Sequence, residues 1–131
     1  MLAVFSWILR IVAAGIMLQT LYFKFSGADE SVYIFSQIGI EPWGRIATGI
    51  LELIASLLIL YPKTTFIGAC ISAGIMLGAI ASHIFILGIS VKDDGGQLFI
   101  YALIVFVASL ILLYLYRQDG LRIIKKFLTL A

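Results

Sequence analysis

Long apolar runs, separated by short polar segments, set the pattern of this chain. Four such runs occupy residues 2–23, 44–61, 65–89 and 97–116. An α-helix rises 1.5 Å per residue, so about 20 apolar residues cross the hydrocarbon core of a bilayer. The pattern therefore predicts four membrane-spanning helices. Only three residues separate the second run from the third, which predicts a tight antiparallel helical hairpin at that point.

The segment between the first two runs shows a shorter periodicity. Apolar residues recur every third position, after an acidic start typical of a helix N-terminus and before a glycine and a proline that end the pattern. We expect a short helix lying at the membrane interface, with Trp43 as an aromatic anchor. The apolar residues of this helix are Val32, Phe35 and Ile38.

The C-terminal segment, residues 119–131, has a different pattern. Arg122, Lys125 and Lys126 share one helical face, and apolar residues cover the rest. This arrangement is typical of an amphipathic helix on an anionic lipid leaflet, which is the partner we favour. Packing against a partner subunit is the alternative.

Composition strengthens the membrane assignment. The chain has 131 residues, of which 63% are hydrophobic and 12% charged. A soluble domain of this size has too little interior for so many apolar side chains. We therefore expect a single all-α membrane domain, residues 1–131, built as a four-helix bundle with an interfacial helix and an amphipathic tail. The net charge of +2 gives no indication of nucleic-acid binding.

Lysine and arginine positions predict the orientation. Four spans place both termini on one side, where five basic residues lie with little acid. The opposite loops mix basic and acidic residues. The positive-inside rule then predicts cytoplasmic termini.

Polar residues within the spans are the candidates for function, because burying them in lipid is costly. From the helical rise, Gln19, His83 and Glu52 lie about 7, 9 and 12 Å below the outer surface. Three helices thus bring polar groups to similar depth, which predicts a ligand-binding or proton-handling pocket that opens outward. The predicted pocket residues are Gln19, Tyr22, Lys24, Arg45, Thr48, Glu52, His83, Asp94 and Tyr101.

A purely structural interpretation stays open. Glu52 and His83 can pair with each other, or with Lys24 or Arg45, and so join helices without binding a ligand. We also expect Arg10 to extend to the cytoplasmic head groups. Small residues repeat every four positions in the third run and are expected to allow close helix packing. These are Gly74, Gly78 and Ser82.

Several chemistries have little support in the sequence. A bis-histidine haem needs two histidines, and a zinc site needs more cysteine or histidine at suitable spacing. The chain has one histidine and one cysteine, Cys70, so it predicts no metal site and no internal disulfide.

The order of short motifs resembles the DoxX-like family of small four-helix membrane proteins. Similar features are Phe23-Lys24-Phe25-Ser26-Gly27, the segment 39–45, Gly49-x-x-Glu52 and Ala81-Ser82-His83. The resemblance covers residues 9–116 and places Lys24, Glu52 and His83 at recurrent polar positions of the family. It implies association with a quinone-linked oxidoreductase in the inner membrane of a bacterium or an archaeon.

Three functions follow as hypotheses. The first is an accessory subunit of a membrane redox system, with a quinone as the possible cofactor and a membrane or periplasmic redox protein as the possible partner. The second is a non-catalytic binding or assembly protein. The third is a small enzyme, transporter or binding protein for a lipid-like molecule, with Glu52 and His83 as proton donor and acceptor.

Overall fold

The fold is described from a computed structural model, which covers residues 1–130; Ala131, the end of the predicted tail, lies outside the described residues. The helices are α1 (Leu2–Ser26), α2 (Asp29–Ile38), α3 (Trp43–Leu60), α4 (Thr65–Ser82), α5 (Gln97–Leu115) and α6 (Arg117–Leu130). A 3₁₀ turn, Pro62–Thr64, precedes α4, and a π-helical turn, His83–Leu87, follows it.

Four of these segments are long and apolar enough to cross a membrane, as the sequence predicted. They are α1, α3, α5 and α4 with its flanking turns. Around the bundle, α1 packs on α3, α3 on α4, α4 on α5, and α5 on α1. The Ser6 and Tyr116 hydroxyls lie 2.7 Å apart, so the start of α1 and the end of α5 meet at one end of the bundle. The chain is an all-helical, multi-pass membrane protein.

Small residues allow α3 and α4 to pack closely near their hairpin. A Cβ atom on Gly68 would lie 2.7 Å from the backbone nitrogen of Ile59, a distance that a side chain cannot occupy. Farther along α4, the Ser72 hydroxyl lies 2.8 Å from the Ser109 hydroxyl of α5. Buried hydroxyl pairs of this kind join helices where lipid offers no hydrogen-bond partner.

The expectation that Gly74 and Gly78 pack against another helix is wrong. A Cβ atom added to either glycine would meet nothing within 4 Å. Both glycines instead lie in the wall of a cavity. The four-residue spacing correctly indicated one face of α4, but that face borders an open space rather than a neighbouring backbone.

The prediction for Arg10 is also wrong. Its side chain does not extend to the head groups, because it is 1% exposed. Its Nε donates to the Ile59 carbonyl oxygen and one terminal nitrogen to that of Leu60, both at 2.7 Å. The Trp7 ring covers the guanidinium at 3.6 Å. The last carbonyls of a helix have no partner within the helix, so Arg10 satisfies the C-terminal end of α3.

A similar contact joins the other end of the same helix pair. Arg45, near the start of α3, donates to the Lys24 carbonyl oxygen in the last turn of α1. The Glu41 carboxylate holds its guanidinium at 2.9 Å. Each helix of the antiparallel α1–α3 pair therefore supplies an arginine to the C-terminal end of the other.

Candidate functional site

A cavity of about 690 Å³ lies between the helices. Its wall draws on α1 to α5 and the π-helical turn, and most of it is apolar. The polar groups in the wall are Gln19, Thr20, Lys24, Glu30, Ser31, Thr48, Glu52, Ser82, His83, Gln97 and Tyr101. The volume is typical of sites for small organic ligands, which combine apolar walls with a few polar groups.

An ion pair between α1 and α3 places two largely buried charges in this wall. Lys24 Nζ lies 3.0 Å from Glu52 Oε2, with both side chains largely buried. The Thr20 hydroxyl lies 3.3 Å from the same carboxylate oxygen and 3.2 Å from Lys24 Nζ. A buried ion pair loses the solvation of both charges, so in the wall of a cavity it is a candidate for ligand binding as well as for joining α1 to α3.

His83 borders the cavity from the end of α4. Its Nδ1 lies 3.0 Å from the Gly88 carbonyl oxygen, which can only accept a hydrogen bond. Nδ1 therefore carries the proton in this contact, and Nε2 is the second polar atom of the ring. The two partners are five positions apart, and the chain makes a π-helical turn there, a feature frequent at functional sites. The Phe99 ring packs edge-on against the imidazole at 5.5 Å.

The short helix α2 covers one side of the cavity. Its Ser31 and Phe35 are buried, and both border the cavity together with Ile34 and Ile38. The periodicity that predicted this helix therefore reflects its contact with the bundle. Phe35 is thus not part of an exposed surface for a partner.

Six of the nine predicted pocket residues line this cavity. They are Gln19, Lys24, Thr48, Glu52, His83 and Tyr101. Between Glu52 and His83 no hydrogen bond forms among residues 1–130; each has another partner, Lys24 and Gly88. The sequence left several partners open for Glu52, and in the structure it pairs with Lys24.

The other three predicted pocket residues lie elsewhere. Tyr22 is 72% exposed on the outer face of α1. Arg45 caps the C-terminal end of α1, and Asp94 organises the loop before α5. Neither Arg45 nor Asp94 borders the cavity.

Asp94 holds its loop through three backbone N–H groups. Its carboxylate accepts hydrogen bonds from Val91 at 3.0 Å, Gly96 at 2.8 Å and Leu98 at 3.3 Å. Burial alone would raise the pKa of Asp94, but these donors outweigh it and keep the pKa below its ordinary value. The carboxylate therefore favours the start of α5 when it is ionised.

This lowered pKa predicts an acid-sensitive loop. Stability from the Asp94 carboxylate is present above its ordinary pKa near 3.9 and disappears as pH falls through the lower, folded-state pKa. We expect Asp94→Ala to lower the free energy of unfolding by about 1 kcal/mol near neutral pH, as for a lost helix cap. In acid we expect a smaller loss. Thermal unfolding at several pH values measures this. Asp93→Asn is the matched control, because Asp93 has a φ of 60° that asparagine also tolerates, and an equal loss there would contradict the assignment.

Sequence reasoning missed two parts of the site. Thr20 lies one helical turn before Lys24. Residues at i and i+4 share a helix face, so this spacing alone would have identified Thr20 as a neighbour of Lys24. The contribution of Ser31 and Phe35 depends on how α2 folds back over the bundle, for which the sequence carries no signal.

Comparison with known proteins agrees with the fold. A model of the DoxX-like family matches residues 8–112, which include parts of all four membrane-spanning helices. No curated protein and no solved structure matches the chain significantly.

Proposed function

The chain belongs to the DoxX-like family, and from this premise we propose that it binds a membrane-dissolved molecule with a polar head group in the cavity beside Lys24 and Glu52. A quinone is the leading candidate. In this proposal the protein is an accessory subunit of a quinone-linked redox system, and the electron-transfer centres belong to its partner.

The observation that carries the proposal is a buried ion pair in the wall of a mostly apolar cavity. Lys24 and Glu52 meet at 3.0 Å, beside a space of about 690 Å³. An apolar ring and tail fit the rest of the wall, and the ion pair offers both a donor and an acceptor. A quinone carbonyl accepts from the lysine ammonium, whereas a quinol hydroxyl donates to the carboxylate.

Access from the bilayer supports a lipophilic ligand. Leu51, Gly74 and Gly78 border the cavity and are exposed, and a Cβ atom on either glycine would meet no neighbouring helix within 4 Å. Leu51 lies eight residues into α3 and Gly74 nine residues into α4. At 1.5 Å per residue both lie about 12–14 Å from the helix start, well inside the apolar layer. In the proposal, a ligand dissolved in the bilayer enters the cavity between these residues.

Charge distribution supports an orientation in the membrane. The end of the bundle where α1 begins and α5 ends also carries Lys63 and the basic residues of α6. In the proposed orientation this end faces the cytoplasm, and α2 with the loop before α5 faces outward. Addition of a reporter enzyme to each terminus in cells tests this orientation.

The direct test is a binding measurement. Purified full-length protein in lipid nanodiscs is extracted for bound quinones and titrated with a soluble short-chain ubiquinone analogue. We expect saturable binding that competes with the native-length quinone. Absence of both co-purified quinone and saturable binding would reject the quinone proposal, and bound lipid in its place would favour the lipid-like ligand.

Filling the cavity is expected to weaken this binding strongly. Gly78→Leu places a side chain in open space, because a Cβ there meets nothing within 4 Å. We expect the apparent Kd for the analogue to rise at least tenfold, with unfolding temperature nearly unchanged. Gly15→Leu is the matched control, since Gly15 is an equally open helical glycine outside the cavity. Equal binding by both variants would show that the ligand lies elsewhere.

Cellular function separates the redox proposal from a non-catalytic assembly role. In the native host, Gly78→Leu is expected to impair quinone-linked respiration, whereas Gly15→Leu is not. If respiration stays normal while binding is lost, the ligand has another use. If a partner protein is lost from the membrane with either variant, the assembly role is favoured.

A further inference from the structure

Helix α6 presents two chemically distinct faces. At 100° per residue, Arg122, Lys125 and Lys126 lie on one side of the helix. The opposite side carries large apolar side chains that are exposed in the structure. Ile124, Phe127 and Leu128 lie on this side, and Leu121 and Leu130 lie at its two borders, each one helical turn from a lysine.

The bundle holds only the beginning of this helix. Gly120 is buried, and a side chain there would collide with the Phe66 ring of α4. Gly120 lies on the apolar side, so this contact directs that side toward the membrane-spanning helices. Farther along, Phe127 and Leu128 are at least 70% exposed, so the apolar surface continues beyond the bundle without cover from residues 1–130.

The position of α6 is that of a helix at a membrane surface. It begins at Arg117, two residues after the last membrane-spanning helix ends. The Arg117 guanidinium lies 4.2 Å from the centre of the Tyr114 ring, at the level where aromatic and basic residues usually border the bilayer. The apolar side therefore continues from the spanning helices at the depth of the lipid head groups.

Charge identifies the occupant of this surface. The helix has four basic residues and one acidic residue, a net charge of +3. The acidic residue, Asp119, already pairs with Arg122 at 3.1 Å. A second copy of this chain in the same orientation presents the same positive charge at this end, since its other loop acids lie at the opposite end. An anionic lipid leaflet supplies both the apolar layer and the negative charge.

We infer that α6 lies on the leaflet at its own end of the bundle, with its apolar side in the acyl region and its basic side on anionic lipid phosphates. The anionic head groups then fix the second half of the helix, which the bundle itself does not hold. This inference is independent of the ligand proposed for the cavity.

Hydrogen exchange of the full-length protein in nanodiscs tests the inference. One set of discs contains phosphatidylcholine alone, and the other also contains phosphatidylglycerol. Three basic groups near an anionic surface are expected to slow exchange of the amides of residues 121–130 at least about tenfold. High salt is expected to remove the difference. Equal exchange in both discs would overturn the inference.

Matched variants identify the source of the effect. Neutralising Arg122, Lys125 and Lys126 together with glutamine is expected to abolish most of the difference between the two lipids. Lys63→Gln, at the same end of the bundle but outside α6, is expected to preserve it. If both variants preserve it, or if α6 is equally protected without anionic lipid, a protein contact holds the helix and the inference is wrong.

Discussion

Arg10→Leu is expected to lower the free energy of unfolding by about 3 kcal/mol. The guanidinium donates to the Ile59 and Leu60 carbonyl oxygens, both at 2.7 Å, in a site that is almost fully buried. Leucine fills part of the volume but leaves these carbonyls with fewer donors in an apolar environment. Each hydrogen bond from a charged group contributes about 1.5–3 kcal/mol, and the removal of a buried charge offsets part of the loss.

The measurement is reversible unfolding in detergent micelles, followed by the helical circular dichroism signal. Arg117→Leu is the control, because Arg117 is an exposed arginine that also donates to a carbonyl, that of Tyr114. We expect its effect to stay within about 0.5 kcal/mol. Similar losses for the two variants would contradict the role assigned to Arg10.

Arg10 also illustrates what the sequence could and could not predict. Its distance from the helix start indicated that the side chain could reach the head groups. Whether it does so depends on what the neighbouring helix offers. Here the end of α3 presents carbonyls that have no partner within the helix at the same depth, and these compete successfully with water and lipid. Depth along a helix follows from the sequence, whereas rotation toward a particular neighbour does not.

The spans themselves were predictable because their lengths are set by the bilayer. The predicted run 44–61 corresponds to α3, Trp43–Leu60, and 97–116 to α5, Gln97–Leu115. The first helix is longer than predicted, since α1 continues to Ser26. Lys24 interrupts the apolar run but not the helix, because its flexible side chain bends back toward Glu52.

Helical geometry separates the correct site residues from one that was misplaced. Thr20 and Lys24 are four residues apart and share the face that meets Glu52. Tyr22 lies two residues from each, about 200° around the helix, so it faces away from them. Depth alone grouped Tyr22 with the pocket residues; depth combined with angle would have excluded it. By the same geometry Gly74 and Gly78 share a face, but only the structure shows that this face borders a cavity.

Removing one partner of the Lys24–Glu52 pair is expected to be more harmful than removing both. Lys24→Met leaves the Glu52 carboxylate buried with only Thr20 as its side-chain partner. Breaking a buried ion pair in this way typically costs about 3–5 kcal/mol. The double variant Lys24→Met with Glu52→Met removes both charges and keeps similar side-chain volume. We expect it to recover most of the stability lost in the single variant.

The same variants distinguish a structural pair from a binding site. If the pair only joins α1 to α3, the double variant should recover stability and retain full ligand binding. If the pair recognises a polar head group, as proposed, stability should return while binding of the quinone analogue stays at least about tenfold weaker, since one lost charged hydrogen bond corresponds to roughly that factor. Unfolding and binding are therefore measured on the same preparations.

A control pair at the edge of the same helices sharpens this comparison. Arg45 and Glu41 also form a partly buried ion pair, at 2.9 Å, but neither residue borders the cavity. Their double replacement is expected to reduce stability through loss of the Arg45 contact with α1, without weakening binding of the analogue in the protein that remains folded. Loss of binding in both double variants would indicate that a general loosening of the bundle weakens ligand binding. Loss only in the Lys24–Glu52 variant would assign recognition to the charged pair in the cavity wall.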